Sequence, residues 1–313
     1  MKRIKIYLMF FCALSGFGLE AQILISLPVI TDFETDTPKD WAPDLPVPFE
    51  MSSMDFPKME NLKLLPLEDS SGCLNTFYEK LRFRNEPVRI VHIGDSHVRG
   101  YVFPATLKMN FERDFGDKAV FPDTLDYRTS TGIARETGLP GIVYHVIGVN
   151  GAVCSDFIRE EQLRRVTSLK PDLIIISFGT NECHGRGYDS RRHYSCMKEL
   201  VDLLKLRSPE TSLLLTTPPG AFVKKRVKKR RIQVENPRTE TVAKNIIKFG
   251  KENNIAYWDL YSSMGGKGNA TKNWRKYKLI NRDGIHFTKE GYRLQGNLLY
   301  EVILKAYNNY VAN

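Results

Sequence analysis

The residues that decide the fold are Val88 to His97, which read VRIVHIGDSH. The first six form a mostly apolar run that is too short for a helix and is typical of a buried strand. Gly94-Asp95-Ser96-His97 then makes a tight turn, which places Ser96 where the strand gives way to a helix. A hydroxyl there is exposed, and the N-terminus of the next helix favours negative charge developing beside it. Gly-Asp-Ser is also the sequence of an ordinary turn with a helix cap, so the rest of the chain decides between the two interpretations.

The same alternation of short apolar runs and amphipathic stretches continues to the C-terminus. Further strands are predicted at 142–147, 173–178, 213–216 and 256–258. Helices are predicted around 99–115, 155–169, 190–206, 238–253 and 288–307, after a first helix that begins at residues 69–71. This order predicts an α/β fold, a three-layer α/β/α sandwich with a central parallel sheet. Such sheets bind ligands beyond the C-terminal ends of their strands.

Three further segments carry suitable chemistry at those positions. Gly151 follows the second strand of the sheet, and a glycine there lets the backbone offer its N–H closely to a ligand. Asn181 follows the third strand, where an amide can donate to an oxyanion. Near the C-terminus, Asp283 and His286 are three residues apart, so the carboxylate can orient the imidazole. Each segment alone is also an ordinary loop, turn or cap.

Together, these segments follow the order Ser, Gly, Asn, Asp, His and resemble the SGNH (GDSL-type) hydrolase superfamily from about residue 88 to residue 304. The resemblance implies a flavodoxin-like sheet, with Ser96 as nucleophile, His286 as base and Asp283 as its partner. It also implies an oxyanion hole made by the backbone N–H groups of Ser96 and Gly151 and the side chain of Asn181. No cofactor is required for such acyl transfer.

Two neighbouring residues depart from the common pattern of this superfamily. His97 stands where many members have leucine after the serine, and Glu182 replaces the usual Asp after the asparagine. With the later Trp-Asp-Leu at 258–260 and Met-Gly-Gly at 264–266, these blocks resemble exported relatives of peptidoglycan O-acetylesterases. We therefore expect a serine esterase that removes O-acyl groups, above all O-acetyl, from peptidoglycan or another cell-wall or dietary glycan. The alternatives are an O-acetyltransferase of the same fold and a non-catalytic glycan-binding module.

Four polar side chains beside these motifs are candidate substrate contacts: His97, Arg99, Glu182 and Arg282. His97 cannot easily reach the hydroxyl of Ser96, because neighbouring residues on a turn point apart. A role in holding the loop is therefore an equal candidate for His97. Four cysteines remain after the first 21 residues, and three pairings of them are open. The chain has no C-x-x-C pair and no Cys and His at ligand spacing, so no metal site is expected.

The N-terminal fifth of the chain reads as targeting and linking sequence before the predicted catalytic domain. Residues 1–21 have a basic start, a short apolar run and a small residue at the end, which is typical of a secretory signal peptide. Residues 22–67 hold seven of the sixteen prolines and read as an extended tether. Residues 68–313 form the predicted hydrolase domain, with a basic insert around 220–237. We expect export to the periplasm or the medium, with no integral membrane segment after cleavage.

The formal charge of +10 over 313 residues is concentrated in two places. The predicted signal peptide contributes +2, and residues 224–231 contribute +7 with no acid among them, so the remainder is close to neutral. Without a general basic surface, binding of nucleic acid is not expected. The seven cations are Lys224, Lys225, Arg226, Lys228, Lys229, Arg230 and Arg231. They form either a solvated loop or a contact with an anionic cell wall.

Overall fold

A computed structural model describes residues 59, 62–122, 131–185 and 187–312. All of them lie in the second of the two units into which the chain divides, Pro43–Asn313. The predicted signal peptide and residues 22–58 of the predicted tether lie outside the described residues. Among the helices that are described, none is long and apolar enough to cross a membrane.

The centre of the domain is a six-stranded sheet with the order β2-β3-β1-β4-β5-β8. Its strands are β1 (Pro87–Gly94), β2 (Thr131–Gly132), β3 (Gly141–Gly148), β4 (Leu173–Ser177), β5 (Ser212–Thr216) and β8 (Ala256–Trp258). Five of the strands run parallel, and only the short edge strand β2 is antiparallel to its neighbour β3. A separate antiparallel hairpin consists of β6 (Phe222–Val227) and β7 (Arg230–Glu235). The predicted α/β fold with a central parallel sheet is confirmed.

Helices cover both faces of this sheet. They are α1 (Asn75–Phe83), α2 (Ser96–Arg99), α3 (Val102–Phe115), α4 (Glu160–Thr167), α5 (Thr180–His184), α6 (Ser190–Arg207), α7 (Arg238–Glu252), α8 (Leu260–Ser263), α9 (Ala270–Lys276) and α10 (Lys289–Ala312), with a 3-10 helix at Cys154–Ile158. Successive side chains of a strand point to opposite faces. In β1, Val88 and Ile90 therefore pack in one apolar core with α3 and α10, and Val91 and Ile93 pack in a second with α6 and α7.

The structure differs from the sequence prediction at several places, among them α2 and α3, the basic insert and the end of the predicted tether. The helix predicted around 99–115 is divided into α2 and α3, with Tyr101 between them at a φ of 76°. The basic insert is the β6–β7 hairpin, whose run of like charges hides the strand alternation. Residues 62–67, at the end of the predicted tether, lie against the domain, where the indole of Trp258 donates to the carbonyl of Leu65 at 3.2 Å. Apolar side chains in this segment, including the buried Leu67, explain why it packs.

The buried His92 of β1 has two hydrogen-bond partners. The imidazole of His92 lies 2.9 Å from the hydroxyl of Tyr144 and 2.8 Å from that of Ser177. His92 is therefore a core residue of β1, away from the chemistry at the end of the strand. The four described cysteines, at positions 73, 154, 183 and 196, are all free thiols.

Candidate active site

Ser96 occupies the predicted junction, at the first residue of α2 and directly after β1. The buried Asp95 caps this helix, since its carboxylate accepts the backbone N–H of His97 at 2.9 Å. Burial raises the pKa of Asp95 to about 8. The first N–H groups of a helix have no partner inside it, so the backbone N–H of Ser96 is available to a ligand at this end.

Ser96, His286 and Asp283 form a continuous chain of hydrogen bonds. His286 Nε2 lies 3.0 Å from Ser96 Oγ, although the two residues are 190 positions apart in the sequence. His286 Nδ1 lies 2.8 Å from Asp283 Oδ2. The other oxygen of Asp283 accepts the backbone N–H groups of Ile285 and His286 at 2.8 and 3.0 Å, which fixes the carboxylate. This is the arrangement in which an imidazole can take the proton of a serine hydroxyl.

The hydrogen bonds to Asp283 also keep it ionised. Partial burial acts to raise the pKa of this carboxyl, but the bonds from the backbone of Ile285 and from the side chain and backbone of His286 outweigh it. The net effect is a pKa below the usual value for aspartate. A carboxylate held in its charged form beside Nδ1 stabilises the imidazolium that forms when His286 accepts a proton.

The residues predicted for the oxyanion hole come from the loops that follow β3 and β4. Gly151 has a φ of 74°, a left-handed conformation that favours glycine, and a side chain at this position would meet open space. The amide Nδ2 of Asn181 donates to the carbonyl of Ala152 at 2.9 Å and lies 3.4 Å from Oδ2 of Asp95. Asn181 therefore joins the loop that contains Gly151 to the turn that contains Ser96.

Glu182, a candidate substrate contact in the sequence, instead holds the backbone of these loops. Its side chain is only 7% exposed. One carboxylate oxygen accepts the N–H of Cys154 and the other that of Gly179, both at 2.9 Å. The pKa of Glu182 is raised above the usual value for glutamate, because the effect of burial outweighs that of these backbone hydrogen bonds, which lower it. Both oxygens are thus occupied inside the protein, and the substrate-contact prediction for Glu182 is wrong.

His97 also points inward. The residue is 5% exposed, its Nδ1 lies 3.0 Å from the hydroxyl of Tyr292, and burial lowers its pKa to about 3. Its ring centroid is 5.7 Å from that of His286, so His97 packs behind the candidate base. This geometry favours the loop-holding role over the substrate contact. Arg99 and Arg282 are exposed, in agreement with a position that a substrate can reach.

Ser96 and His286 open onto a cleft of about 370 Å³. Its lining consists of Ser96, Arg99, Gly100, Asn150, Asn281, His286, Phe287 and Tyr292. Three polar members, Asn150, Asn281 and Tyr292, are absent from the sequence prediction. Asn150 directly precedes Gly151, so the sequence segment that predicted Gly151 also points to Asn150. Asn281 and Tyr292 flank the Asp-x-x-His motif, but nothing in their local sequence sets them apart from other polar residues.

A buried cluster outside the cleft has the residue types of a metal site, but two of its side chains already form hydrogen bonds within the protein. Cys154, Glu182 and His193 place one potential ligand atom each within 4.8 Å of one another. The side-chain amide of Asn245 donates to His193 Nδ1 at 3.2 Å, so the hydrogen of the neutral ring is on Nε2, which faces Glu182 at 4.0 Å. Burial also raises the pKa of the Cys154 thiol. Each carboxylate oxygen of Glu182 already accepts a backbone N–H, so we assign no metal ion to this cluster.

The fold and the site define an α/β protein with linked serine, histidine and aspartate side chains beyond its strands, and comparison with known proteins places the chain in a family of hydrolases. Residues 92–294 match the GDSL-like Lipase/Acylhydrolase family, so the chain belongs to this family and is a hydrolase that acts on esters. The resemblance to SGNH hydrolases expected from the sequence is thereby confirmed. No match was found among curated proteins.

Several solved structures are similar to this chain at low sequence identity. A peptidoglycan O-acetylesterase superposes with a TM-score of 0.64 at 17% identity, over 79% of this chain and all of the other. A GDSL-like lipase from Bacteroides thetaiotaomicron has a TM-score of 0.47 at 20% identity, over 71% of this chain and 88% of the other. A catalytic mutant of an acetylxylan esterase from Geobacillus stearothermophilus has a TM-score of 0.42 at 16% identity, over 69% and 94%.

Proposed function

We propose that this protein is an exported serine esterase that removes O-acetyl groups from a carbohydrate, with peptidoglycan as the first substrate to test. The observation that carries the proposal is the hydrogen-bonded chain Ser96–His286–Asp283 at an open cleft. Members of the family hydrolyse esters, and these three residues have the chemistry of a nucleophile, a base and the carboxylate that orients the base.

The proposed reaction proceeds in two acyl-transfer steps. In the first, His286 Nε2 takes the proton of Ser96 Oγ as the oxygen attacks the ester carbonyl, and the imidazolium then protonates the departing sugar oxygen. In the second, His286 takes a proton from water, the resulting hydroxide attacks the acetyl-serine, and Ser96 regains its proton as acetate leaves. The N–H groups of Ser96 and Gly151 would stabilise the oxyanion in both steps, and the amide of Asn181 would join them by exchanging its long 3.4 Å bond to Asp95 for a bond to the oxyanion.

The shape and lining of the cleft support a carbohydrate as the part of the substrate that carries the acyl group. The cleft is open and is lined by hydrogen-bonding side chains, among them Arg99, Asn150 and Asn281. Such groups suit the hydroxyls of a sugar better than an acyl chain longer than acetyl, which needs an apolar tunnel. The similarity in fold to a peptidoglycan O-acetylesterase makes peptidoglycan a reasonable first choice.

Export is the part of the proposal that depends on the sequence alone. Residues 1–21 have the pattern of a signal peptide, and a cell-wall substrate requires an enzyme outside the cytoplasm. Mass determination of the protein from the culture medium or the periplasm should give a chain that begins near Gln22. A full-length chain recovered with the cytoplasmic fraction would contradict export.

The test of the activity is acetate release by purified protein from p-nitrophenyl acetate, O-acetylated peptidoglycan and acetylated xylan. Ser96→Ala and His286→Ala should each lower kcat by about 10³-fold or more, because the nucleophile or its base is lost. Full activity in either folded variant would refute the site. Acetylated acceptor sugar in place of free acetate would identify a transferase, and glycan binding without any turnover would identify a binding module.

A further inference from the structure

The basic insert is attached directly to the candidate active site. The hairpin begins at Phe222, whose backbone N–H donates to the carbonyl of Gly284 at 2.7 Å and whose carbonyl lies 3.3 Å from His184 Nε2. From the second strand, Gln233 Nε2 donates to the carbonyls of Arg282 and Asp283 at 3.0 and 2.9 Å. The hairpin is thus held at its base between α5 and the 281–286 loop, which carries two residues of the hydrogen-bonded chain.

Strand register divides the hairpin residues between two faces. In an antiparallel pair, alternate residues and their cross-strand partners lie on the same face. The first face, here called the loop-side face, carries Phe222, Lys224, Arg226, Arg231, Gln233 and Glu235. The opposite face carries Val223, Lys225, Val227, Arg230, Ile232 and Val234. Because Phe222 and Gln233 contact the 281–286 loop, three cations continue outward from the active site on the loop-side face.

These three cations are exposed and lack a balancing acid. Arg226 pairs directly with Arg231 across the hairpin, and Lys224 is the next cation toward the active site on that face. Like charges opposite each other destabilise a strand pair. Within the described residues, the ion pairs found do not include these cations. The one acid of the face, Glu235, lies at the base and accepts hydrogen bonds from Tyr261 and Gly268. An anion that binds between the arginines would relieve their repulsion.

A fourth cation extends this line at the base of the hairpin. The guanidinium of Arg275 stacks 3.6 Å from the ring centroid of Phe222, and its Nη2 donates to Gln233 Oε1 at 2.5 Å. Arg275 is exposed, as is Arg282 of the 281–286 loop. With strand residues about 3.4 Å apart, the hairpin reaches about 17 Å beyond its base, which is the length of several sugar units.

We propose that the loop-side face, through Lys224, Arg226 and Arg231, binds carboxylates of an anionic glycan and places the polymer with an acylated sugar at Ser96. This proposal rests on the proposed esterase function and narrows its substrate class to polymers with repeated negative charge, such as peptidoglycan with its peptide carboxylates. A polymer bound along the loop-side face would extend toward the cleft, because the base of the same hairpin contacts the 281–286 loop. Attraction between exposed charges weakens with salt, so the effect should be largest at low ionic strength.

The test compares two variants that remove the same charge from different faces. The first is Lys224→Gln/Arg226→Gln/Arg231→Gln on the loop-side face. The matched control is Lys225→Gln/Lys228→Gln/Arg230→Gln, on the opposite face and the turn. Values of kcat/KM are measured at low and high salt with O-acetylated peptidoglycan, neutral acetylated xylan and p-nitrophenyl acetate, the last of which reports on the integrity of the catalytic site.

For the loop-side variant, we expect kcat/KM with peptidoglycan at low salt to fall about tenfold more than with either neutral ester, through a higher KM. The control should stay within about threefold of the wild type with peptidoglycan, and high salt should remove most of the difference. Equal losses in the two variants, or none in either, would overturn the proposal while leaving the esterase function intact. No turnover of any ester by the wild type would instead overturn the esterase function itself.

A membrane is the other anionic surface that a basic hairpin with apolar residues can contact. Val227 and Ile232 lie on the opposite face and are each 43% exposed. Wild type and Val227→Ser/Ile232→Ser are therefore sedimented with phosphatidylglycerol vesicles. Vesicle binding that the serine variant loses, together with unchanged peptidoglycan kinetics in the loop-side variant, would assign the hairpin to a membrane and overturn the glycan proposal.

Discussion

At the scale of single residues, two buried carboxylates build the site without belonging to the hydrogen-bonded chain. Asp95 caps α2 behind Ser96, and Glu182 accepts one backbone N–H from each of the loops that follow β3 and β4. An acidic side chain suits the position of Glu182 because it offers two oxygens, and each of them accepts one backbone N–H. The sequence marks Glu182 as unusual for its family, but its function is to hold the backbone.

Glu182→Gln should therefore weaken both the fold and the activity. Glutamine has one acceptor oxygen, so the N–H of Cys154 or of Gly179 would face an NH₂ group. We expect the free energy of unfolding in urea to fall by about 1–3 kcal/mol. We also expect a lower kcat for p-nitrophenyl acetate, since the loop with Gly151 is less firmly held. The control Glu161→Gln, at an exposed position of α4, should match the wild type in both measurements.

At the scale of elements, close packing of α2 against the end of β3 fixes the position of Ser96. A Cβ atom added at Gly148 would lie 2.2 Å from the backbone nitrogen of Arg99. Only glycine therefore lets the helix that begins at Ser96 sit on this strand. Three residues later, Gly151 serves a different purpose, because it needs glycine for its φ of 74° and not for space.

Gly148→Ala and Gly151→Ala should separate these two requirements. The first forces backbone against backbone, so we expect loss of several kcal/mol of unfolding free energy, or no folded protein. The second places a side chain in a left-handed conformation at a cost of about 1 kcal/mol and leaves the domain folded. Thermal unfolding followed by circular dichroism distinguishes them. Equal melting temperatures for the two variants would show that the packing of α2 on β3 is looser than described.

The β6–β7 hairpin and the 281–286 loop also act as one unit. Gln233→Ala removes the two hydrogen bonds to the carbonyls of Arg282 and Asp283. Each bond contributes about 0.5–1.5 kcal/mol, so kcat for p-nitrophenyl acetate should fall several-fold as Asp283 and His286 lose support. Ile232→Ala, next to it on the opposite face, is the control and should retain the wild-type kcat. A Gln233→Ala enzyme with wild-type kcat would mean that the loop is held without the hairpin.

At the scale of the whole molecule, the domain folds around uncharged histidines. Burial lowers the pKa of His92 and His97 to about 3, and that of His145 and His193 to about 4. An unfolded histidine has a pKa near 6.5. Between about pH 6.5 and these lower values, the unfolded chain binds protons that the folded chain does not. Each of these groups therefore makes the fold less stable as the pH falls.

His145→Asn isolates one of these contributions. Its Nδ1 accepts the backbone N–H of Ala134 at 3.1 Å, so the variant should be less stable than the wild type at pH 7. As the pH falls from 6.5 to about 4, protonation of His145 in the unfolded chain lowers the unfolding free energy of the wild type by about 1.4 kcal/mol per pH unit. The variant lacks this titrating group and does not show that loss. The difference in urea unfolding free energy should shrink accordingly. The control is Ser212→Ala, a substitution at a buried position that removes no titrating group. Its difference from the wild type in unfolding free energy should not vary with pH.

The sequence alone determined the order of the main strands and helices and pointed to the serine, histidine and aspartate that the structure links. Hydrophobic periodicity is local, so the strand predicted at 256–258 and the helix predicted at 190–206 agree with β8 and α6 to within one residue. The Ser96, Asn181 and Asp283–His286 segments were identified in the same way, because each lies where a predicted strand ends or the last helix begins.

Only the tertiary structure decided which way the neighbouring side chains point and what surrounds them. The bond from Gly179 to Glu182 is a local contact at the start of α5. The bond from Cys154 comes from another loop, 28 residues away, and no local pattern records that encounter. The run of like charges at 224–231 gave no alternation from which to predict a hairpin. Its attachment to the 281–286 loop depends on Gln233, about 50 residues away along the chain. Side-chain direction follows from contacts distant in sequence, so only the folded chain shows that three cations share the hairpin face that contacts the 281–286 loop.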